Sequence, residues 1–360
     1  MLLIPASTEI KAPTGRGTTL RRRVGAWLRK LLIACAVAYP LALVAVIVLF
    51  RFVGEGWWVT SVALYVPRLP LALPLLVLVP GLLLLRARKL YFTLPVSALL
   101  VAFPVMGLET PPLGSAGEGR SIRLLSFNVN LERAGDTPIL RAIRHFDPDI
   151  VVLQESAPWS EVPKLLKDQY PTVHVSTQFV LATRLNLLST DNPREIDFYN
   201  VKRAPLYMRY LLETPLGKLT LYSVHPHSPR QSFHAVASQR RELLTGHFDQ
   251  RANDTVQTNT GLRVLQVRTW ARAATLDAEP TVIAGDTNLP GLSRELGREL
   301  GAFRDGFEEA GSGFGYTFPS RFPWMRIDRV LAKGPLHFRR FEVGCRDLSD
   351  HLCVVADLGR

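Results

Sequence analysis

The chain has 360 residues, 47% of them hydrophobic, and a formal net charge of +12. That length accommodates two domains, or one domain with a membrane part. Residues 1–120 hold thirteen Lys/Arg against four acids, so the rest of the chain carries only +3, and the overall charge does not by itself mark a nucleic-acid-binding protein.

Residues 1–29 are basic and polar with Pro and Gly, the composition of a short disordered cytoplasmic tail. Uncharged apolar runs follow at 31–50, 69–85 and 90–108, the second able to borrow 56–67. A bilayer crossing needs about 20 apolar residues, so the economical expectation is an anchor of three transmembrane helices over residues 30–108. Seven basic residues precede the first run, and Arg86, Arg88 and Lys89 separate the second from the third. The first loop has only Arg51 and Arg68, partly offset by Glu55. The positive-inside rule then places the N-terminus and the second loop in the cytoplasm and everything after Leu108 outside it, as expected of a multi-pass protein of the cell (inner) membrane. Leu32-Ile33-Ala34-Cys35 is similar to a lipoprotein cleavage site, but too few apolar residues separate it from Lys30 to form a signal-peptide core.

Residues 109–120 are rich in Pro, Gly and Ser and read as a linker to a soluble domain over 121–360. There strands and helices alternate. Residues 122–127 form a β-type run, 136–145 a helix, 150–153 a second buried strand and 160–168 another helix. Further strands are expected over 173–188, 207–212 and 218–224; 228–261 reads as helix plus mobile loop, and 262–274 as an amphipathic helix. A buried strand at 282–284 that stops at Gly285, a short helix near 292–300, and strands at 327–332 and 352–358 complete the pattern. It predicts an α/β sandwich, two β-layers between helices. Cys345 and Cys353 flank the Ser349-Asp350-His351 turn and could pair in an oxidising compartment, but the simpler expectation is two small apolar core residues.

Polar residues cluster at the strand ends. Residues 281–290 (TVIAGDTNLP) deliver Asp286 and Asn288 after Gly285; Asn128, Glu155, His225, Asp328 and His351 lie within or beside other strand ends. Singly, Glu155 reads as a solvated acid, Asn128 and Asn288 as turn residues, His225 as a satisfied histidine, and Asp328 as a partner for arginine. Together they point to a site at one rim of the sheets, where rigid elements hold side chains in place. His227, in the run HPHSP, is a fallback for His225.

Segment by segment, the motifs resemble the endonuclease/exonuclease/phosphatase (deoxyribonuclease I-like) superfamily: LLSFN at 124–128, DIVVLQE at 149–155, YSVH at 222–225, GDTN at 285–288, RIDRV at 326–330 and SDH at 349–351. The resemblance covers residues 121–359 and implies a two-sheet sandwich that hydrolyses phosphate esters with Mg2+ or Mn2+. It implies metal binding by Glu155 and Asn128 with Asp350 as outer support, since hard oxygen donors suit magnesium. Asp286, oriented with Asn288, would position or deprotonate the attacking water. His351, held by Asp328, would stabilise the transition state, and His225 would contact the phosphate or the leaving oxygen. Asn130 stands where some relatives have an acid, which puts a second metal in doubt.

The expected partners are a phosphate-ester substrate and the membrane, with no protein partner predicted. A nuclease needs a basic track, for which Arg230, Arg240, Arg241 and Arg321 are candidates. A phospholipid or inositol-phosphate phosphodiesterase would suit the anchor, with Phe322-Pro323-Trp324-Met325 as a loop facing lipid or packing beside the site. A catalytically inactive, anchored binding module is the reading of another class, and the filled site positions count against it.

Overall fold

The computed structural model describes residues 16–110, 119–238 and 250–360. Most of the expected N-terminal tail, linker residues 111–118, and Arg240 and Arg241 lie outside the described residues. The chain divides into two compact units, Met1–Val44 with Leu71–Val101, and Ala45–Pro70 with Ala102–Arg360.

The first unit is helical. Ala36, Leu78 and Leu82 form its buried centre, and the Tyr39 hydroxyl donates to the Leu71 carbonyl at 2.5 Å. Leu41, Leu76 and Leu84 stay exposed, so its helices are apolar on their outer faces too. Among the described residues, two helices, Arg23–Gly56 and Arg88–Val105, are long and apolar enough to cross a membrane, and the apolar helix Leu69–Leu84 is shorter. Three spans were expected; the structure supplies two helices of spanning length and one short one.

The second unit carries the strands: β1 Ser121–Asn128, β2 Ile150–Gln154, β3 Thr172–Ser176, β4 Phe179–Thr183, β5 Asn186–Asp191, β6 Ile196–Phe198 and β7 Val201–Arg203. There follow β8 Tyr207–Thr214, β9 Gly217–Val224, β10 Thr281–Asp286, β11 Arg304–Asp305, β12 Asp328–Lys333, β13 His337–Gly344 and β14 Cys353–Gly359. One six-stranded sheet runs β13-β14-β1-β2-β4-β3 and the other β11-β12-β10-β9-β8-β5, while β6 and β7 form a separate hairpin.

The continuous apolar runs are explained by burial on both faces, because successive side chains of a strand point to opposite sides. In β2, Ile150 and Val152 enter the core between the sheets, whereas Val151 and Leu153 join Ile139 and Ile143 of helix Asp136–Phe146. In β10, Val282 and Ala284 face the same inter-sheet core, and Ile283 packs with Trp270 of helix Gln250–Leu276 on the far side. The result is the expected two β-layers between helices.

Three local expectations are corrected. The run 173–188 is not one strand but β3, β4 and the start of β5, broken by a left-handed residue at Thr177 (φ 53°) and by the turn before Asn186. β13 was not expected, because a register shift between Phe338 and Arg340 disrupts the alternation by which its apolar residues would be recognised. Cys345 and Cys353 are joined by a disulfide with Cα atoms 5.4 Å apart, not merely packed as core residues. The antiparallel register sets Gly344 opposite Cys353, which brings the neighbouring Cys345 within reach. Thiol titration of the denatured, unreduced chain is expected to find one thiol, Cys35, rising to three after reduction.

Candidate active site

The rim is built by parallel register. β1 and β2 run side by side and pair Asn128 with Gln154, so Asn128 and Glu155 emerge together. β9 and β10 are likewise parallel, with Val224 beside Gly285, so His225 and Asp286 leave the second sheet as neighbours. β12 pairs antiparallel with β10 and sets Asp328 opposite Asp286. Across the sandwich, the Gln154 amide donates to the Ser223 hydroxyl at 3.3 Å and ties the two sheets at this edge.

Asn128 is fully buried and joins the two halves. Its amide nitrogen lies 3.0 Å from Glu155 Oε1 and 3.4 Å from Asp286 Oδ2, while its oxygen accepts the Asn130 N–H. Asp286 Oδ1 accepts the Asn288 N–H at 2.8 Å, and the Asn288 amide donates to the Pro226 carbonyl. Asn288 sits at φ 49°, a conformation that asparagine tolerates better than most residues. His351 Nδ1 lies 2.9 Å from Asp328 Oδ2, its Nε2 lies 3.7 Å from Asp286 Oδ2, and its ring tilts against Phe318.

His225 is fixed through Nδ1, 2.8 Å from Gln178 Oε1. Its Nε2 is buried without a hydrogen-bond partner, 3.3 Å from Glu155 Oε1 and 3.6 Å from Asp286 Oδ2. His227 does not line the cavity at the site; its backbone N–H donates to Gln266 and its backbone carbonyl accepts from Arg263.

Electrostatics separates the two histidines. Burial opposes charge on both, but Asp328 and Asp286 overcome it at His351 and raise its pKa to about 10, so the ring is an imidazolium at neutral pH. At His225 burial prevails over Glu155 and lowers the pKa, leaving a neutral ring. Burial raises the Asp286 pKa, opposed by His351.

Of the eight residues singled out in the sequence, seven meet at this rim. Asp350 lies behind the rim: its carboxylate is 3.4 Å from Arg230 and 3.3 Å from the Ser349 hydroxyl, which also reaches the Asn128 carbonyl at 2.7 Å. Asp328 does not pair with arginine. The adjacent Arg329 turns to buried Asp305, at 2.5 Å, and leaves Asp328 to His351.

The sequence reading missed two contributors. Gln178 orients His225 from the β3–β4 turn, inside a run read as one strand. Tyr65 belongs to a segment assigned to the membrane part, yet its hydroxyl donates to the Asn288 carbonyl at 2.7 Å. A cavity of about 150 Å³ opens on the site, and Tyr65, Phe233, Phe318 and Met325 give it an apolar side.

Solved structures of similar fold include truncated TDP2 from Caenorhabditis elegans, 20% identical, over 68% of this chain and 99% of that one, at a TM-score of 0.49. An endonuclease/exonuclease/phosphatase from Beutenbergia cavernae is 18% identical over 67% of this chain and 72% of that one, at 0.46. TDP2 from D. rerio, complexed with a single strand DNA product, is 17% identical over 67% and 100%, at 0.47. No curated protein matches the chain. A model of the Endonuclease/Exonuclease/phosphatase family matches residues 125–351, from within β1 to His351. With most of its length and the whole of the rim inside that match, the chain belongs to the endonuclease/exonuclease/phosphatase family.

Proposed function

We propose that the chain is a membrane-anchored phosphoesterase, dependent on Mg2+ or Mn2+, that hydrolyses phosphodiester bonds outside the cytoplasm. The observation that carries this reading is the convergence of Asn128, Glu155, His225, Asp286 and the Asp328–His351 pair at one rim.

The donor set fits a hard divalent cation. Glu155 and Asp286 both approach the orphaned His225 Nε2, and this ring is neutral, so the two acids have no charged partner there. Asp286, Asp328 and His351 also offer ligand atoms within 4.8 Å of one another. Asp328 and His351 already hold each other at 2.9 Å, however, which favours Glu155, supported by Asn128, as the holder. Bound there, the ion would neutralise charge developing on the phosphoryl oxygens.

Asp286, held by the Asn288 N–H, orients a water and accepts its proton; the water oxygen bonds to phosphorus as the P–O bond to the leaving alcohol breaks. His351 faces the developing negative charge as a cation, with Asp328 and Asn288 as positioning residues. In the tautomer with the proton on Nε2, its Nδ1 accepting from the Gln178 amide, His225 is placed to donate to a phosphoryl or leaving oxygen, and the leaving oxygen takes up a proton from solvent or from the site. The full chain with Mg2+ is expected to hydrolyse bis(p-nitrophenyl) phosphate, to lose that activity in EDTA and to regain it with added Mg2+. Turnover that ignores the chelator would overturn the metal dependence.

The proposed topology has three spans, a cytoplasmic N-terminus and the 121–360 catalytic domain on the opposite side. The basic residues flanking the apolar helices support it, as does the Cys345–Cys353 disulfide, a bond that persists in oxidising compartments. Alkaline phosphatase fused after Arg360 is expected to be active, whereas a C-terminal reporter working only in the cytoplasm would contradict the topology.

A further inference from the structure

The end of the first apolar helix and the segment that leads from it to the second belong to the compact unit that carries the site, and are joined to the rest of it by specific contacts. Buried Glu55 accepts from the Ser293 hydroxyl and from the Arg294 N–H at 3.1 Å, and the Ser61 hydroxyl meets that of Thr260 at 2.8 Å. Tyr65 is 3% exposed: Arg263 stacks over its ring at 5.4 Å, Phe233 meets it edge-on at 5.6 Å, and its carbonyl accepts from the Trp324 indole. Its hydroxyl holds the carbonyl of Asn288, the residue that fixes Asp286.

The surroundings of the cavity are chemically one-sided. Beyond the polar rim its wall is mainly Tyr65, Phe233, Phe318, Met325 and Ile327, with Ser228 and His234 as further polar members, and Arg230 is the sole Lys or Arg among the described lining residues, already engaged with Asp350. Among these described lining residues there is no row of cations for a polyanionic strand, whose affinity rests on rows of phosphate contacts. Tyr65 also lies four residues before Leu69, where an apolar helix begins, a reach of at most about 14 Å along an extended chain. Two further helix ends, Gly56 and Val105, fall in the same unit, and Val105 is tied to it by Arg68 at 2.9 Å. Phe52, Trp57 and Phe322 in this unit are exposed.

From these observations, and resting on the phosphoesterase reading above, we propose that the segment between the first two apolar helices completes the active site. Tyr65 is the floor, and Phe233 and Phe318 the sides, of an apolar subsite that receives the hydrocarbon part of a membrane lipid phosphoester. Hydrolysis follows the balance already given, with the lipid supplying either the retained phosphoryl group or the departing alcohol.

The test uses the full chain with Mg2+ and three probes: bis(p-nitrophenyl) phosphate, a single-stranded DNA oligonucleotide, and phosphatidylglycerols with two butanoyl or two hexanoyl chains held below their micellar concentrations. The wild type is expected to show kcat/KM about tenfold higher for the hexanoyl than for the butanoyl lipid, as apolar burial grows with each methylene. In Phe233→Ser that ratio is expected to fall to about two, and because it is taken within one variant, general damage cancels. Tyr65→Phe keeps the ring and loses the hydroxyl; its kcat is expected to fall about fivefold on all cleaved probes with the chain-length ratio retained. A ratio near one in the wild type, an unchanged ratio in Phe233→Ser, or faster turnover of DNA than of either lipid overturns the lipid subsite while leaving the phosphoesterase reading intact. Failure to hydrolyse bis(p-nitrophenyl) phosphate overturns that reading and this inference with it.

Discussion

Asp286→Asn is expected to lower kcat on bis(p-nitrophenyl) phosphate by about 10²–10⁴-fold, the range for loss of a positioned general base. The substitution is nearly isosteric, and the new side-chain oxygen can still accept the Asn288 N–H that now holds Oδ1. It removes the charge that, with Asp328, keeps His351 protonated, and it leaves the water without a proton acceptor. The fold should survive, so the melting temperature is the companion measurement. A variant that keeps more than about a tenth of wild-type kcat would remove Asp286 from the proton transfer and shift that role to Glu155 or His225.

Gly285→Ala is expected to destabilise the full chain by roughly 3–5 kcal/mol and to abolish activity. A Cβ on Gly285 would fall 2.1 Å from the Val224 carbonyl oxygen, and its φ of 146° suits residues with side chains poorly. Relief requires β9 and β10 to part where they deliver His225 and Asp286, so stability and catalysis fail for the same reason. Gly291→Ala is the control: nothing lies within 4 Å of its added Cβ, and stability should stay within about 0.5 kcal/mol of wild type. Thermal unfolding of the two variants side by side decides the matter; a Gly285→Ala midpoint within about 2 °C of wild type would refute the close approach.

The site was legible wherever a short local pattern fixes geometry. A two-sided apolar strand ending in Gln154-Glu155 or Gly285-Asp286 announces both its burial and the point where its chemistry emerges, because strand periodicity is local. Asp350 shows the limit of that reasoning. It is adjacent in sequence to His351, but successive residues diverge in direction, and its carboxylate goes to Arg230. Gln178 and Tyr65 were invisible for a different reason: each acts through one long-range hydrogen bond, and neither stands at a recognisable strand end. Tyr65 was further masked by its company, since an apolar segment between apolar helices has the composition of membrane whether or not it packs on a protein. The same composition blurred the helix count, with Leu69–Leu84 falling short of the length of the other two.

The hydrogen bond from Tyr65 to Asn288 also carries a parity rule. Two groups in contact occupy the same side of any bilayer, so the chain between residues 65 and 288 must cross it an even number of times. Among the described residues, two apolar helices lie in that interval, Leu69–Leu84 and Arg88–Val105. A single crossing by the longer helix is therefore forbidden: either both traverse or neither does. If the longer one spans, the short one is obliged to follow, although at 1.5 Å per residue it covers only about 24 Å of a hydrocarbon layer about 30 Å thick. Such a shortfall would be met by local thinning of the bilayer or by flanking residues that reach for the interface, and a spanning hairpin would then be sensitive to the thickness of the bilayer around it.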